Sequence, residues 1–170
     1  MLIPKPSSFT QAANLTWLGS FLGVFLKVLR ISASDTYDIR HKMLRQDRPR
    51  DEVIFPHDDD DQTFHLGGFF ENKLVSVASF YFENHPDLAD DYQYRLRGMA
   101  TLPEYQGKGT SSALLKMAFP IIKQNLCTLL WCNARTSAMG YYQKVGFEKI
   151  GEEFDIPTVG PHVLMFKKII

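Results

Sequence analysis

Cysteine is nearly missing from this 170-residue chain: Cys127 and Cys132 are the two, five positions apart, with no second pair and no histidine at ligand spacing. That count excludes a disulfide framework, a zinc site and a redox dithiol, and it suits free thiols in a reducing cytoplasm. Net charge is missing too, since nineteen Lys and Arg stand against nineteen Asp and Glu. A broadly basic, nucleic-acid-binding surface is thereby excluded, though a local patch is not. No apolar run reaches the ~20 residues that a membrane-spanning helix needs. No repeat and no low-complexity segment appears beyond the short run Asp58 to Asp61.

What remains is ordinary: 45% hydrophobic, 13% aromatic and 22% charged residues. A chain of this length forms one domain, and burying roughly 70% of its unfolded surface needs no covalent staple. The N-terminus admits two readings. Residues 15–29 carry one charge, Lys27, and resemble the apolar core of a signal peptide or an anchor at 15–26. No small-residue cleavage site follows, however, and Lys5 is the single basic residue before that stretch. The competing reading is an extension, 1–23, leading into a first strand at 24–32.

Beyond it, elements alternate in type. A helix is expected at 35–44 with Ser34 as its N-cap, followed by a long polar loop at 45–61. A hairpin at 63–70 and 74–83 turns about Glu71, Asn72 and Lys73, and a strand at 92–101 contains Gly98, where a bulge is expected. Residues 110–124 read as a helix that Pro120 should kink or shorten. A buried strand at 126–133, a short helix at 137–145, and strands at 147–154 and 163–168 complete an α+β chain, a mixed and mostly antiparallel sheet with helices packed on it.

Two segments carry chemistry. In the first, Gln106, Gly107, Lys108, Gly109, Thr110 and Ser111 lead from a strand through a glycine turn straight into a helix. Glycines let successive amides converge there, and the helix start adds unpaired donors and the positive dipole end, which suits a pyrophosphate. The nucleotide P-loop pattern is absent, because Gly109 follows the lysine where Ser or Thr is required. In the second segment, Ala138, Tyr141, Tyr142, Lys144, Gly146 and Phe147 lie on a short helix and its exit.

The two segments together, in this order and separated by one strand, resemble the GNAT superfamily of acyl-CoA N-acyltransferases over residues 24–169. The family's phosphate-binding pattern falls on Gln106, Gly109 and Ser111, and its later pattern on Ala138, Tyr141, Tyr142, Lys144, Gly146 and Phe147. The resemblance makes 24–32 the first strand of a three-layer fold with splayed central strands. It implies acetyl-CoA as acyl donor, with no metal. The cofactor arm would lie along Met99, Ala100 and Thr101, and the pyrophosphate on Gln106 through Ser111. The Met99 amide would polarise the thioester carbonyl, and Tyr142 would be the general acid that protonates the departing thiolate.

The departures matter. Where many members place an Asn seven residues before the catalytic tyrosine, this chain has Arg135, with Asn133 two residues earlier; both are carried as cofactor-arm candidates. Where several members have a glutamate on the central strand, this chain has Arg95 and Arg97, so no base carries over. Outside the motifs, His65, His162 and the Asp58 to Asp61 run are candidates for the base and the acceptor side, the run being expected as a solvated loop with a grip on a cationic acceptor as its alternative. Arg97 is the candidate for gripping an anionic group of the acceptor. The reading is a cytoplasmic N-acetyltransferase, monomer or homodimer, acting on a small-molecule amine by direct attack, with no nucleic-acid or membrane partner. A non-catalytic acyl-CoA sensor and a protein anchored through 15–26 are the alternatives.

Overall fold

The computed structural model describes residues 17–21 and 24–169, with side chains from Phe25 onward. In chain order the elements are β1 (Trp17–Phe21), β2 (Val24–Ile31), α1 (Ala33–Leu44), β3 (Phe64–Phe70), β4 (Lys73–Phe82), β5 (Gln93–Thr101), α2 (Thr110–Gln124), β6 (Leu129–Arg135), α3 (Met139–Lys144), β7 (Glu148–Ile156) and β8 (Gly160–Lys168). The strands make one sheet in the order β1-β2-β3-β4-β5-β6-β8-β7. Every neighbouring pair is antiparallel except β5 and β6. This is the mixed, mostly antiparallel sheet expected from the alternation of elements.

Within the 1–23 extension, Trp17–Phe21 pairs with β2 and forms the sheet's edge, while residues 1–16 and 22–23 lie outside the described residues. The described part of the anchor candidate is therefore extended strand. Among the described residues, no helix is long and apolar enough to cross a membrane.

Local chemistry accounts for most boundaries. Helix α1 starts earlier than expected, because Ser32, not Ser34, is its N-cap. Ser32 has Asp35 three residues on, and the two side chains satisfy each other's backbone amides in a capping box; Ser34 has Tyr37 at that spacing and cannot do so. Glu71 and Asn72 both adopt positive φ between paired Phe70 and Lys73, the hairpin turn whose twist matches that of its strands. Pro120 does not end α2, which continues to Gln124. The apolar face of Leu114, Met117, Ala118, Ile121 and Ile122 is buried on the sheet and carries the helix past the missing N–H.

Helices cover both faces. On β3, Gly68 faces Thr110 and Leu114 of α2, while on the other face His65 joins Ser79 of β4 and Arg40 of α1. The central feature is the separation of β5 from β6. They pair only through Gln93–Leu129, Tyr94–Leu130 and Arg95–Trp131. Beyond Arg95, β5 stays with β4, and β6 stays with β8. A cleft therefore opens in the middle of the sheet.

Candidate active site

The glycine loop lies at the end of β5. A single 3-10 turn, Pro103–Tyr105, leads into Gln106, and Gly107 and Gly109 take left-handed φ values of 72° and 78°. A Cβ at either position would meet no protein atom within 4 Å, so both face open space. No side chain caps α2, which leaves the first amides of the helix as donors with the dipole behind them. Gln106 Nε2 donates to the Thr101 carbonyl at 3.1 Å and ties the loop to its strand. A hydroxyl chain, Ser76 to Thr101 at 2.7 Å and Thr101 to Ser111 at 3.0 Å, fixes the opposite side. The Thr110 hydroxyl is buried without a partner. Lys108 instead lies over the Tyr105 ring, 5.1 Å from its centre. Loop, Met99, Ala100, Thr101 and the two tyrosines of α3 enclose a cavity of about 540 Å³.

A second cavity, of about 400 Å³, fills the cleft between β5 and β6. It shares Met99, Ala138 and Tyr142 with the first, so the two meet at those residues. The bulge expected at Gly98 is present: Ser79 pairs with Arg97 and Val77 with Ala100, leaving Gly98 and Met99 opposite Ala78 alone. Beyond Arg95, β6 offers them no pairing either. Asn133 and Arg135 line this second cavity and not the glycine-loop cavity, and the Asn133 amide oxygen is buried without a partner.

Tyr142 is 8% exposed and packs edge-on against Phe147 and Tyr141. Burial, followed by the neighbouring Cys132 and Tyr141, pushes its pKa well above the ordinary value. The phenol therefore keeps its proton throughout the physiological range and is an acid, never a base, at this position. The Tyr141 hydroxyl is also buried, with no hydrogen bond of normal geometry.

The acceptor-side candidates separate cleanly. His65 lines neither cavity; its Nδ1 meets Ser79 Oγ at 2.7 Å and its Nε2 the Asp58 carbonyl at 2.9 Å, and burial pushes its pKa down. Asp58 is not part of a solvated run. It is buried and holds Arg40 at 2.7 and 3.0 Å, and Tyr81 donates to it. Burial alone would raise the Asp58 pKa, but hydrogen bonds from Arg40 and Tyr81 hold it below the usual carboxylate range. Sequence reasoning missed Arg40, whose partners lie 13 to 41 positions away; a basic residue in the middle of an expected helix gave no such signal. Asp59, Asp60 and Asp61 remain exposed.

His162 is different. It lies in the wall of the cleft cavity, 5% exposed, and its Nδ1 is 2.7 Å from the Gly160 carbonyl. A carbonyl accepts only, so Nδ1 carries the proton and Nε2 of the neutral ring is left with a lone pair. Among the described residues no Asp or Glu lines this cavity. Arg95 and Arg97 do share one face, as alternate strand residues should. Arg95 is paired to Glu83 at 2.8 Å and lies over Trp131. Arg97 has no carboxylate partner; it lies 4.5 Å from the centre of the Phe55 ring, which also stacks on Arg40. Among the described residues no group of three or more His, Cys, Asp or Glu could hold a metal ion.

Comparison with known proteins shows the family and the fold. The profile of the acetyltransferase (GNAT) family matches residues 29–147. An uncharacterized N-acetyltransferase of Bacillus subtilis, YitI, is 41% identical over 85% of this chain and 97% of its own length. An aminoglycoside 6'-N-acetyltransferase solved with coenzyme A shares the fold at 8% identity and a TM-score of 0.67, over 84% of this chain and 97% of that one. The ribosomal-protein-S18-alanine N-acetyltransferase of Escherichia coli does so at 17% identity and a TM-score of 0.64, over 85% and 94%.

Proposed function

The chain belongs to the acetyltransferase (GNAT) family, and from that premise we propose that it transfers an acetyl group from acetyl-CoA to the amine of a small molecule. The observation that carries this reading is the meeting of the two cavities at Met99 and Tyr142: one has uncapped amides for a pyrophosphate, the other is open to an acceptor. The chain's residues fit the donor. Amides from Gly107 to Ser111 and the unpartnered Thr110 hydroxyl would hold its phosphates, while the backbone of Met99 to Thr101 and the unpartnered Asn133 oxygen would meet the amides of its arm. A pure sensor would have no use for a buried, protonated phenol at that junction.

Acetyl-CoA supplies an acetyl thioester, whose C–S bond is exchanged for a C–N bond to the acceptor. Met99, out of register with β4, would direct its amide at the carbonyl oxygen as charge develops there. His162 Nε2 would take the proton that the attacking nitrogen sheds. The Tyr142 hydroxyl, kept neutral by burial, would give one to the departing sulfur. Holding both reactants across one cleft supplies proximity without any further group.

The test is an acceptor screen with acetyl-CoA, read as thiol release and confirmed by product mass. Release that depends on an added amine, with a product 42 mass units heavier, on the order expected for one acetyl group replacing hydrogen, supports the reading. Tight acetyl-CoA binding without turnover on any amine would instead make the protein a sensor.

A further inference from the structure

Among the described residues, the cleft cavity is lined by four arginines, Arg45, Arg95, Arg97 and Arg135, and by no carboxylate. Glu83 neutralises Arg95. The other three have no ion-pair partner among the described residues. Arg97 is half-buried between the Phe55 and Tyr81 rings, 4.5 and 5.7 Å from their centres. Arg45, the C-cap of α1, is also half-buried; burial first, then Arg48 and Arg135, push its pKa down, against an opposing pull from Glu52. Three guanidiniums converging on a partly desolvated hollow repel one another and lack the partner that burial normally demands. A planar fork of donors is matched by a carboxylate or a phosphate, which it binds with two parallel hydrogen bonds.

Resting on the acetyltransferase reading, we propose that the acceptor is an amine that also carries a compact oxyanion, a carboxylate or a phosphate, and that Arg97 binds it in the cleft cavity with Arg45 and Arg135 at the mouth. A neighbouring hollow of about 870 Å³ meets the cleft cavity at Arg95 and Arg97 and also contains Asp59, Asp60, Asp61 and Glu83, which would suit a polyamine, but its lining includes neither Met99 nor Tyr142. The cleft cavity is the one whose lining includes both junction residues, Met99 and Tyr142.

The experiment uses matched pairs: L-amino acids against their amides, and phosphoethanolamine against ethanolamine. The wild type is expected to favour one anionic member over its neutral partner by ~10-fold or more in kcat/KM, the equivalent of at least ~1.4 kcal/mol; which pair shows it separates carboxylate from phosphate. Arg97→Met should collapse that ratio through KM, and Arg97→Lys should recover part of it. Arg135→Gln, at an exposed position that folding does not need, should lower the same ratio. Calorimetric titration of the protein with acetate and inorganic phosphate, wild type against Arg97→Met, reads the anion site without turnover. Anion binding lost in Arg97→Met, but no acetylation of any amine, would leave this site standing and remove the acetyltransferase reading. Acetylation of neutral amines or polyamines in preference, or equal losses on both members of a pair, overturns the anionic acceptor alone. A loss confined to acetyl-CoA affinity would assign the arginine to the donor's phosphates and overturn it as well.

Discussion

The backbone of Gly98 stands directly against the guanidinium of Arg40: a methyl group on Gly98 would lie 2.9 Å from Arg40 Nε. Arg40 cannot move aside, because Asp58, Ser79, Tyr81 and the Val53 carbonyl all hold it. The bulge that opens the central cleft is thus braced from α1 by a buried ion pair. Gly98 also takes a φ of 60°, so an alanine there is strained twice. Gly98→Ala should cost about 1–3 kcal/mol, seen as a lower Tm, and should impair donor binding by shifting Met99. Unaltered stability and KM would show that the bulge tolerates a side chain and is not braced.

The same ion pair predicts an acid response. The Asp58 pKa is held below its unfolded value of ~3.9. Its contribution to stability is therefore fully present above about pH 4 and is lost as pH falls through the lower folded value. Asp58→Asn leaves Arg40 buried without a counter-charge, at a cost of ~3–5 kcal/mol, and should flatten the acid limb of a stability-against-pH curve. An Asn variant with the wild-type acid limb would place that titration elsewhere.

Gly109→Val should weaken acetyl-CoA by ~10-fold or more, since the Cβ points into open space where phosphates would sit and a φ of 78° disfavours a branched residue. Calorimetry on a variant shown to be folded by circular dichroism decides it. Unchanged affinity removes the phosphate role of the loop.

Tyr142→Phe retains the ring contacts with Phe147 and Tyr141 and removes the hydroxyl, with its proton and its contact to Cys132. Donor binding should survive while kcat falls by ~10²–10⁴-fold. Tyr141→Phe removes a hydroxyl beside Ser111 and Ser112 in the glycine-loop cavity, so its effect should fall on donor binding and leave kcat nearly unchanged. His162→Gln should lower kcat by a similar ~10²-fold or more if Nε2 is the base. Equal losses at positions 141 and 142 would mean packing, not proton transfer.

Both thiols should be silent in the folded protein. Burial pushes Cys127 up to about 11 and Cys132 up to about 12, and each is at most 2% exposed. At pH 8 almost no thiolate exists to attack a disulfide reagent. Ellman's reagent should titrate both cysteines only after denaturation; prompt reaction of the native chain would contradict the packing around β6.

The glycine loop and the tyrosine helix were legible in the sequence because their chemistry is local. Gln106 to Ser111 are contiguous, so the turn, the uncapped amides and the dipole follow from the order of residues. Tyr142 needs only its helix and the strand beside it. The capping box at Ser32 and Asp35 was equally local, and the three-residue spacing that distinguishes it from Ser34 is present in the sequence. The bulge at Gly98 was one of two readings open to a glycine within a strand; the other, close approach of a neighbour, is what Gly68 serves against α2.

The acceptor side was not legible, because it depends on which strands meet. His65 and His162 are equivalent as isolated histidines; β3 pairing with β4 delivers one to Ser79 and Asp58, while β8 pairing with β6 brings the other to the cleft. Asp58 reads as one of four solvated aspartates until Arg40, 18 residues earlier, takes it into the core. Arg95 and Arg97 share a face by strand parity alone, but Glu83 reaches only Arg95. Parity along a strand is a property of the sequence. Which guanidinium finds a carboxylate depends on distances across the sheet, and these exist only once the tertiary structure has brought the strands together.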